Sequence, residues 1–226
     1  KAKEFLKDAL SDISHQLKTP LAALAMYNEI ILEEPENRTT VQEFSQKAAQ
    51  ALSRMEGLIG TLLKVMRLDA GSVPFERGIY TMQELVLRST EELTTRAQRE
   101  GKHICFDGPP EERIFCDLAW TSEAGGNLVK NALDHTEMGG EVCLSWQRSP
   151  LTLRLSVEDN GSGIPPEELP HIFKRFYRGK SSQTKQGVGL GLPLAKSIVE
   201  GQDGVLTVQS TPGRGTIFTL SFLTKT

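Results

Sequence analysis

What this chain has little of narrows it first. Cysteine is scarce: Cys105, Cys116 and Cys143 are odd in number and show no C-x-x-C spacing. That argues against a disulfide framework or a zinc site, and leaves three small apolar residues in strands of a protein from a reducing cytosol. Charge of one sign is lacking too, since a net charge of −3 offers no surface for nucleic acid or anionic membrane. No apolar run approaches the roughly eighteen residues that span a bilayer. No secretory leader is expected either, because Lys1-Ala2-Lys3-Glu4 opens directly into an amphipathic pattern. The chain reads as a fragment that starts mid-helix, with any membrane segment upstream of it. Internal repeats and low-complexity tracts are also missing. What remains is an ordinary globular composition, 24% charged and 38% hydrophobic over 226 residues, enough for one large domain or two small ones.

Two long helical patterns come first. Leu6, Leu10, Ile13, Leu17, Leu21, Leu24 and Ile31 step by fours, threes and a seven, as the seam of a packed helix does. Pro35-Glu36-Asn37 interrupts the pattern, which resumes with Val41, Phe44, Ala48, Leu52, Met55, Ile59, Leu62 and Met66. It stops near Asp69-Ala70-Gly71, where glycine suits a helix end. A hairpin with one apolar stripe cannot cover that stripe alone. Dimerisation into a four-helix bundle is the economical solution, and packing against the rest of the chain is the alternative.

After Gly71-Ser72-Val73-Pro74 the composition shifts, which marks a linker. Leu151, Leu153, Leu155 and Val157 alternate with polar residues, as a half-buried strand requires. Further strands are expected around residues 142–146, 206–208 and 217–222, and helices over about 81–100, 117–135 and 190–201. The elements interleave without regular βαβ alternation, so an α+β two-layer sandwich is expected rather than a doubly wound sheet.

Within the first helix stands Ser14-His15-Gln16-Leu17-Lys18-Thr19-Pro20. A core histidine, a metal ligand, a hinge and a nucleophile are all open readings of His15. The helical wheel puts His15 roughly 170° from the arc of Leu10, Ile13 and Leu17, which removes the core reading. Thr19 lies one turn on, within reach of the ring. Pro20 removes the hydrogen bond to the Gln16 carbonyl and loosens the helix there.

Four later segments carry chemistry. Asn127 and Asn131 share one helix face, either as a solvated face or cap, or as hard neutral ligands for Mg²⁺. Asp159-Asn160-Gly161-Ser162-Gly163 follows the alternating strand. It is a turn, or a carboxylate placed to accept a hydrogen bond from the exocyclic amine of a base. Gly187-Val188-Gly189-Leu190-Gly191 enters a helix with N–H groups suited to phosphates, though its spacing is neither the dinucleotide fingerprint nor a P-loop. Ile172 to Arg178, with the polar stretch to Gln186, reads as a lid over an anionic ligand or as an amphipathic turn and a disordered loop.

Taken together and in this order, the segments resemble the sensor histidine kinases of two-component signalling. "SHQLKTPL" resembles the H-box, Asn127 to His135 the N-box, "DNGSGI" and "GVGLGL" the two glycine boxes, and "IFKRFYRG" the F-box. "TPGRGTIF" is similar to the last glycine-containing strand element of that family. The resemblance implies a dimerisation and phosphotransfer hairpin over residues 1–71. Residues 72–226 would be an ATP-binding sandwich of the gyrase, chaperone and histidine-kinase type. It implies His15 as phosphoacceptor, with Gln16 beside it and Thr19 associated with dephosphorylating the partner regulator. ATP and Mg²⁺ are the implied cofactors, with Asn131 as metal ligand and Asn127 supporting it. Asp159 would read adenine, while Gly161, Gly163, Gly187, Gly189, Leu190 and Gly191 shape the pocket and lid with Phe173. Lys130, Arg175 and Arg178 are the implied phosphate partners.

The implied partners are a second copy of the chain and a response-regulator receiver domain. No nucleic acid is expected, and a bacterial inner or plasma membrane only through a segment outside this cytoplasmic piece. Two positions depart from the family pattern. Gln16 stands where an acidic residue usually follows the phosphoacceptor, and a carboxamide cannot ionise. Asp134 stands where a basic residue is more usual. Asn127 in place of a glutamate favours transfer to histidine over ATP hydrolysis. A nucleotide-binding module with weak kinase and dominant phosphatase activity is the alternative that Gln16 leaves open.

Overall fold

A computed structural model describes residues 2–179 and 188–224, with side chains in the first helix at Ser14 and from Gln16 onward. The chain forms two compact units, Lys1–Lys64 and Val65–Thr226. The first holds helix α1 (Ala2–Glu33) and most of α2 (Arg38–Asp69). Glu33 closes α1 because the residue before a proline is pushed out of helical geometry, and Pro35 follows at once. Asn37 caps α2: its Oδ1 accepts the Thr40 N–H at 3.3 Å, and its Nδ2 donates to Glu34 Oε2 at 2.9 Å. α1 runs as helix through Pro20.

Two heptad rows, one residue apart, replace the single seam expected for α2. Ala51, Leu58 and Leu62 are buried, and Tyr27 packs on Phe44 with ring centroids 5.7 Å apart. Leu52, Ile59 and Met66 are 51%, 41% and 44% exposed, as is Leu21 at 58%. A 3.6-residue period cannot separate adjacent rows of one wide stripe, which is why both read as one seam.

In the second unit, five strands order as β2-β4-β5-β7-β6. They are β2 (His103–Asp107), β4 (Glu141–Arg148), β5 (Thr152–Asp159), β6 (Val205–Thr211) and β7 (Gly215–Leu223). β2 and β4 run parallel, and the other pairs are antiparallel. A separate antiparallel pair joins β1 (Gly78–Thr81) to β3 (Arg113–Cys116). Helices α3 (Met82–Arg99), α4 (Leu118–His135) and α5 (Gly191–Glu200) form the second layer. Thr81 and Asp117 cap α3 and α4 by accepting the N–H groups of Glu84 and Trp120.

Alternation puts Leu144, Leu155, Val157, Phe218 and Leu220 in the core, each 1% exposed or less, with Leu128, Leu133, Leu194 and Ile198 from the helices. Each such side chain contributes about 1.5–3 kcal/mol of burial. The fold is the α+β sandwich expected, with helical spans within a residue or two of those read from periodicity.

The cysteines depart from expectation. Cys105 and Cys143 face each other in the register of β2 and β4 with Cα atoms 4.6 Å apart, and a disulfide joins them. Their separation of 38 residues hides this, because spacing rules detect only local pairs and nothing in the sequence makes β2 a neighbour of β4. Cys116 alone fits the apolar reading: it is fully buried, and burial pushes its thiol up to about 11.

Candidate nucleotide site

α4 presents its two asparagines differently. Asn127 Nδ2 donates to the Glu123 carbonyl at 2.8 Å, so one end of that amide is spent on its own helix. Asn131 makes no side-chain hydrogen bond among the described residues and is half-exposed. Lys130 is exposed. Asp134 is tied elsewhere: Arg96 Nη2 of α3 donates to its Oδ1 at 2.6 Å. The same guanidinium bonds Glu100, and Lys102 Nζ bridges Glu100 and the Leu133 carbonyl. Lys102 and Arg96 hold the Glu100 carboxyl down to about 2. The acid that departs from the family pattern thus pins α4 to α3. Sequence reading missed Arg96, which lies 38 residues upstream with no motif around it.

β5 delivers Asp159 to the rim of the sheet. The carboxyl is 3% exposed and accepts the Gly161 N–H at 2.9 Å. Burial pushes its pKa above the usual range, against the lowering pull of the Gly161 and Thr216 backbone donors. Glycine at 161 is a steric necessity, since a Cβ there would strike the His135 carbonyl at the end of α4. Ser162 N–H bonds that same carbonyl at 3.2 Å, so the first glycine segment is laced to α4. On its other side Gly213 N–H bonds the Ser162 carbonyl at 2.8 Å, and Ser210 Oγ accepts the Ile164 N–H at 2.8 Å. The β6–β7 turn therefore walls the segment that holds Gly163; Thr216 joins the neighbourhood from the "TPGRGT" stretch, and Ser210 stands just before it.

The F-box lies against the second glycine segment. Phe173 stacks edge-on against Phe218 at 6.3 Å, and Lys196 Nζ sits 5.2 Å from its ring. Phe176 takes the left-handed conformation, φ 58°, and its N–H bonds the Gly189 carbonyl at 2.9 Å. Gly189 itself has φ +73°, a conformation side chains rarely adopt. Such strain gathers at ligand sites. Arg175 is ion-paired with Asp69, which also accepts from Ser197 Oγ at 3.3 Å. Arg178 is half-buried.

Among the described residues no side chain caps α5 at Leu190, and because Pro193 lacks an N–H the donors of this first turn are those of Gly191 and Leu192. A Cβ on Gly191 would stand 2.9 Å from Asn127 Oδ1, which sets the start of α5 against the asparagine face of α4. Gly187 and the expected lid beyond Gly179 lie outside the described residues.

The structure thus gathers Asn127, Asn131, Asp159, Gly161, Gly163, Phe173, Gly189, Leu190 and Gly191 within one unit. His15, Gln16 and Thr19 belong to the other. Thr19, Lys18 and Ser14 are exposed and Gln16 is half-exposed, whereas the His15 side chain lies outside the described residues.

A buried carboxyl beside glycine-lined backbone, a helix start and an asparagine face lie together in one unit, a combination suited to a nucleotide. In agreement, residues 117–226 match the family profile "Histidine kinase-, DNA gyrase B-, and HSP90-like ATPase". Residues 5–71 match the "His Kinase A (phospho-acceptor) domain". The chain belongs to the sensor histidine kinases of two-component systems.

It is similar to the sensor-like histidine kinase SenX3 of Mycobacterium tuberculosis, 29% identical over 217 residues, with 95% of this chain and 53% of SenX3 covered. The phosphate regulon sensor protein PhoR of Pseudomonas aeruginosa is 31% identical over 220 residues, covering 96% of this chain and 49% of PhoR. The chain spans about half the length of these curated relatives. Among solved structures, histidine kinase ThkA in complex with response regulator protein TrrA superposes with TM-score 0.79 at 18% identity. That match covers 100% of this chain and 64% of the other, and it carries the fold alone. Among the described residues no helix is long and apolar enough to cross a membrane.

Proposed function

We propose that the chain is an ATP-dependent, dimeric protein-histidine autokinase that hands its phosphoryl group to an aspartate of a response regulator and also dephosphorylates that regulator. The observation that carries this reading is the pairing, in one chain, of a phospho-acceptor profile over 5–71 with an ATPase profile over 117–226. Residues 1–71 act as the dimerisation and phosphotransfer hairpin and residues 72–226 as the catalytic domain. The exposed row Leu52, Ile59 and Met66 supports a second copy as the partner that covers it. The full-length protein is a bacterial membrane sensor, with this piece in the cytoplasm.

In the reaction, a neutral ring nitrogen of His15 forms a bond to the γ-phosphorus while the bond from that phosphorus to the β–γ bridging oxygen breaks and ADP departs. The imidazole proton passes to solvent, because Gln16 cannot take it. Asp159 accepts the adenine amine; a buried carboxylate is costly unless a donor arrives to meet it. The uncommitted carboxamide of Asn131 would hold Mg²⁺, which when bound would neutralise phosphate charge. Asn127 supports that face, and Phe173 and Leu190 line the pocket. The first N–H groups of α5, with Gly187, Gly189 and Gly191, receive phosphate oxygens. Lys130 and Arg178 add charge, and Arg175 joins them when it leaves Asp69. Thr19 holds a water for dephosphorylation of the regulator.

Incubation with γ-labelled ATP tests the reading: acid-labile label on the protein is expected, and acid-stable label or none would sink it. Gln16 favours a second reading, in which phosphatase activity dominates a weak kinase. A gain of tenfold or more in labelling by Gln16→Glu would select it.

A further inference from the structure

We propose that Cys105 and Cys143 form a reversible thiol–disulfide switch that sets the nucleotide affinity of the Val65–Thr226 unit. The inference rests on the nucleotide-binding reading above for its effect, and on geometry for the switch itself. The two cysteines occupy facing positions on parallel strands, and both are half-buried on the sheet side opposite Val142 and Leu144, within reach of small thiols. The third cysteine, Cys116, is fully buried with a raised pKa, so it does not compete in exchange.

Position couples the pair to the site. The 38-residue separation it closes contains all of β3 and α4, and so both Asn127 and Asn131. Cys143 faces Glu158, the neighbour of Asp159, on β5. Two residues before Cys143, Glu141 N–H donates to Asn160 Oδ1 at 2.9 Å and its carbonyl accepts the Asn160 N–H at 3.3 Å. β2 is an edge strand held only by β4 within this sheet, so the disulfide decides how firmly that corner is fixed. On the proposed function this unit works in the cytosol, where thiols are kept reduced and a disulfide is transient and regulatory.

The exchange partner is a low-molecular-weight disulfide of the glutathione type. One cysteine thiolate attacks a sulfur of it, breaking that S–S bond, forming a mixed disulfide and expelling one small thiolate. The second cysteine thiolate attacks the mixed disulfide and expels the other. Two cysteine thiols are thereby oxidised to one disulfide, the small disulfide is reduced to two small thiols, and the two cysteine protons end on the released thiols. Closure pre-organises α4 against the sheet, so the oxidised form binds nucleotide more tightly.

The test equilibrates the chain in glutathione buffers of graded poise and counts free thiols by alkylation and mass spectrometry. In the same samples a fluorescent ATP analogue reports affinity. Expected are closure of one Cys105–Cys143 bond and roughly fivefold tighter nucleotide binding in the oxidised form. Cys105→Ser and Cys143→Ser should each match reduced wild type and ignore the buffer. Nucleotide binding that ignores redox state, or thiols that never pair, would overturn the switch and leave the proposed function intact. Absence of nucleotide binding in every state would overturn both. Glu141 also lies with the two sulfurs in a group whose ligand atoms fall within 4.8 Å of one another. If Zn²⁺ takes both thiols and shifts affinity while glutathione disulfide does not, the pair is a metal site and the switch is wrong.

Discussion

The two units bury their apolar residues in different ways. The sandwich closes its own core: Phe218, Leu220, Leu144 and Leu128 are fully buried with partners from both layers of a single chain. In the hairpin unit Ala51, Leu58 and Leu62 are buried, but Leu21, Leu52, Ile59 and Leu63 stay between 41% and 58% exposed. One unit closes its core within a single chain; the other presents an exposed apolar row, which on the proposed function a second copy covers. On the proposed function the same division separates chemistry: the sandwich would hold the nucleotide and the hairpin the phosphoacceptor histidine. A unit that must re-form contacts with partners can exchange them, whereas a rigid pocket holds a ligand in a fixed pose.

The comparison breaks most visibly at the exposed row. Ile59→Asp is expected to weaken self-association by about a thousandfold in sedimentation experiments while the sandwich melts as before. If association is unchanged, the row is not a dimer seam. Leu220→Ala acts the other way, costing the sandwich about 2–5 kcal/mol in denaturant unfolding with self-association retained. Asp159→Asn sharpens the picture inside the sandwich. Nucleotide affinity should drop about a hundredfold, by titration calorimetry, while the melting temperature holds or rises because a buried charge is removed.

The smallest effect concerns Glu100. Its folded pKa is lowered to about 2 from 4.5, so its stabilisation is complete above pH 4.5 and fades as pH falls towards 2. Glu100→Gln should flatten that part of the urea-midpoint profile.

Much of this was legible in the chain. Helices α3, α4 and α5 follow from periodicity because each packs one stripe on a sheet. The order of glycine and asparagine segments suggested a nucleotide pocket, and the described ones fall within one unit. Strands β1 and β3 went unseen, being four residues each and too short to show a period of two. β2, His-Ile-Cys-Phe-Asp, has no clean alternation, because it is an edge strand. Partnerships were illegible for the same reason everywhere: Arg96 with Asp134, Arg175 with Asp69 and Cys105 with Cys143 are set by tertiary proximity alone. The doubled heptad row of α2 escaped because adjacent positions on a wide stripe share one period.

The proposed separation of nucleophile and nucleotide between the two units is tested most directly by His15→Ala, incubated with γ-labelled ATP at a concentration that saturates wild type. The account predicts nucleotide affinity within twofold of wild type and complete loss of acid-labile label. Label that persists, or affinity that collapses with the histidine, would contradict it.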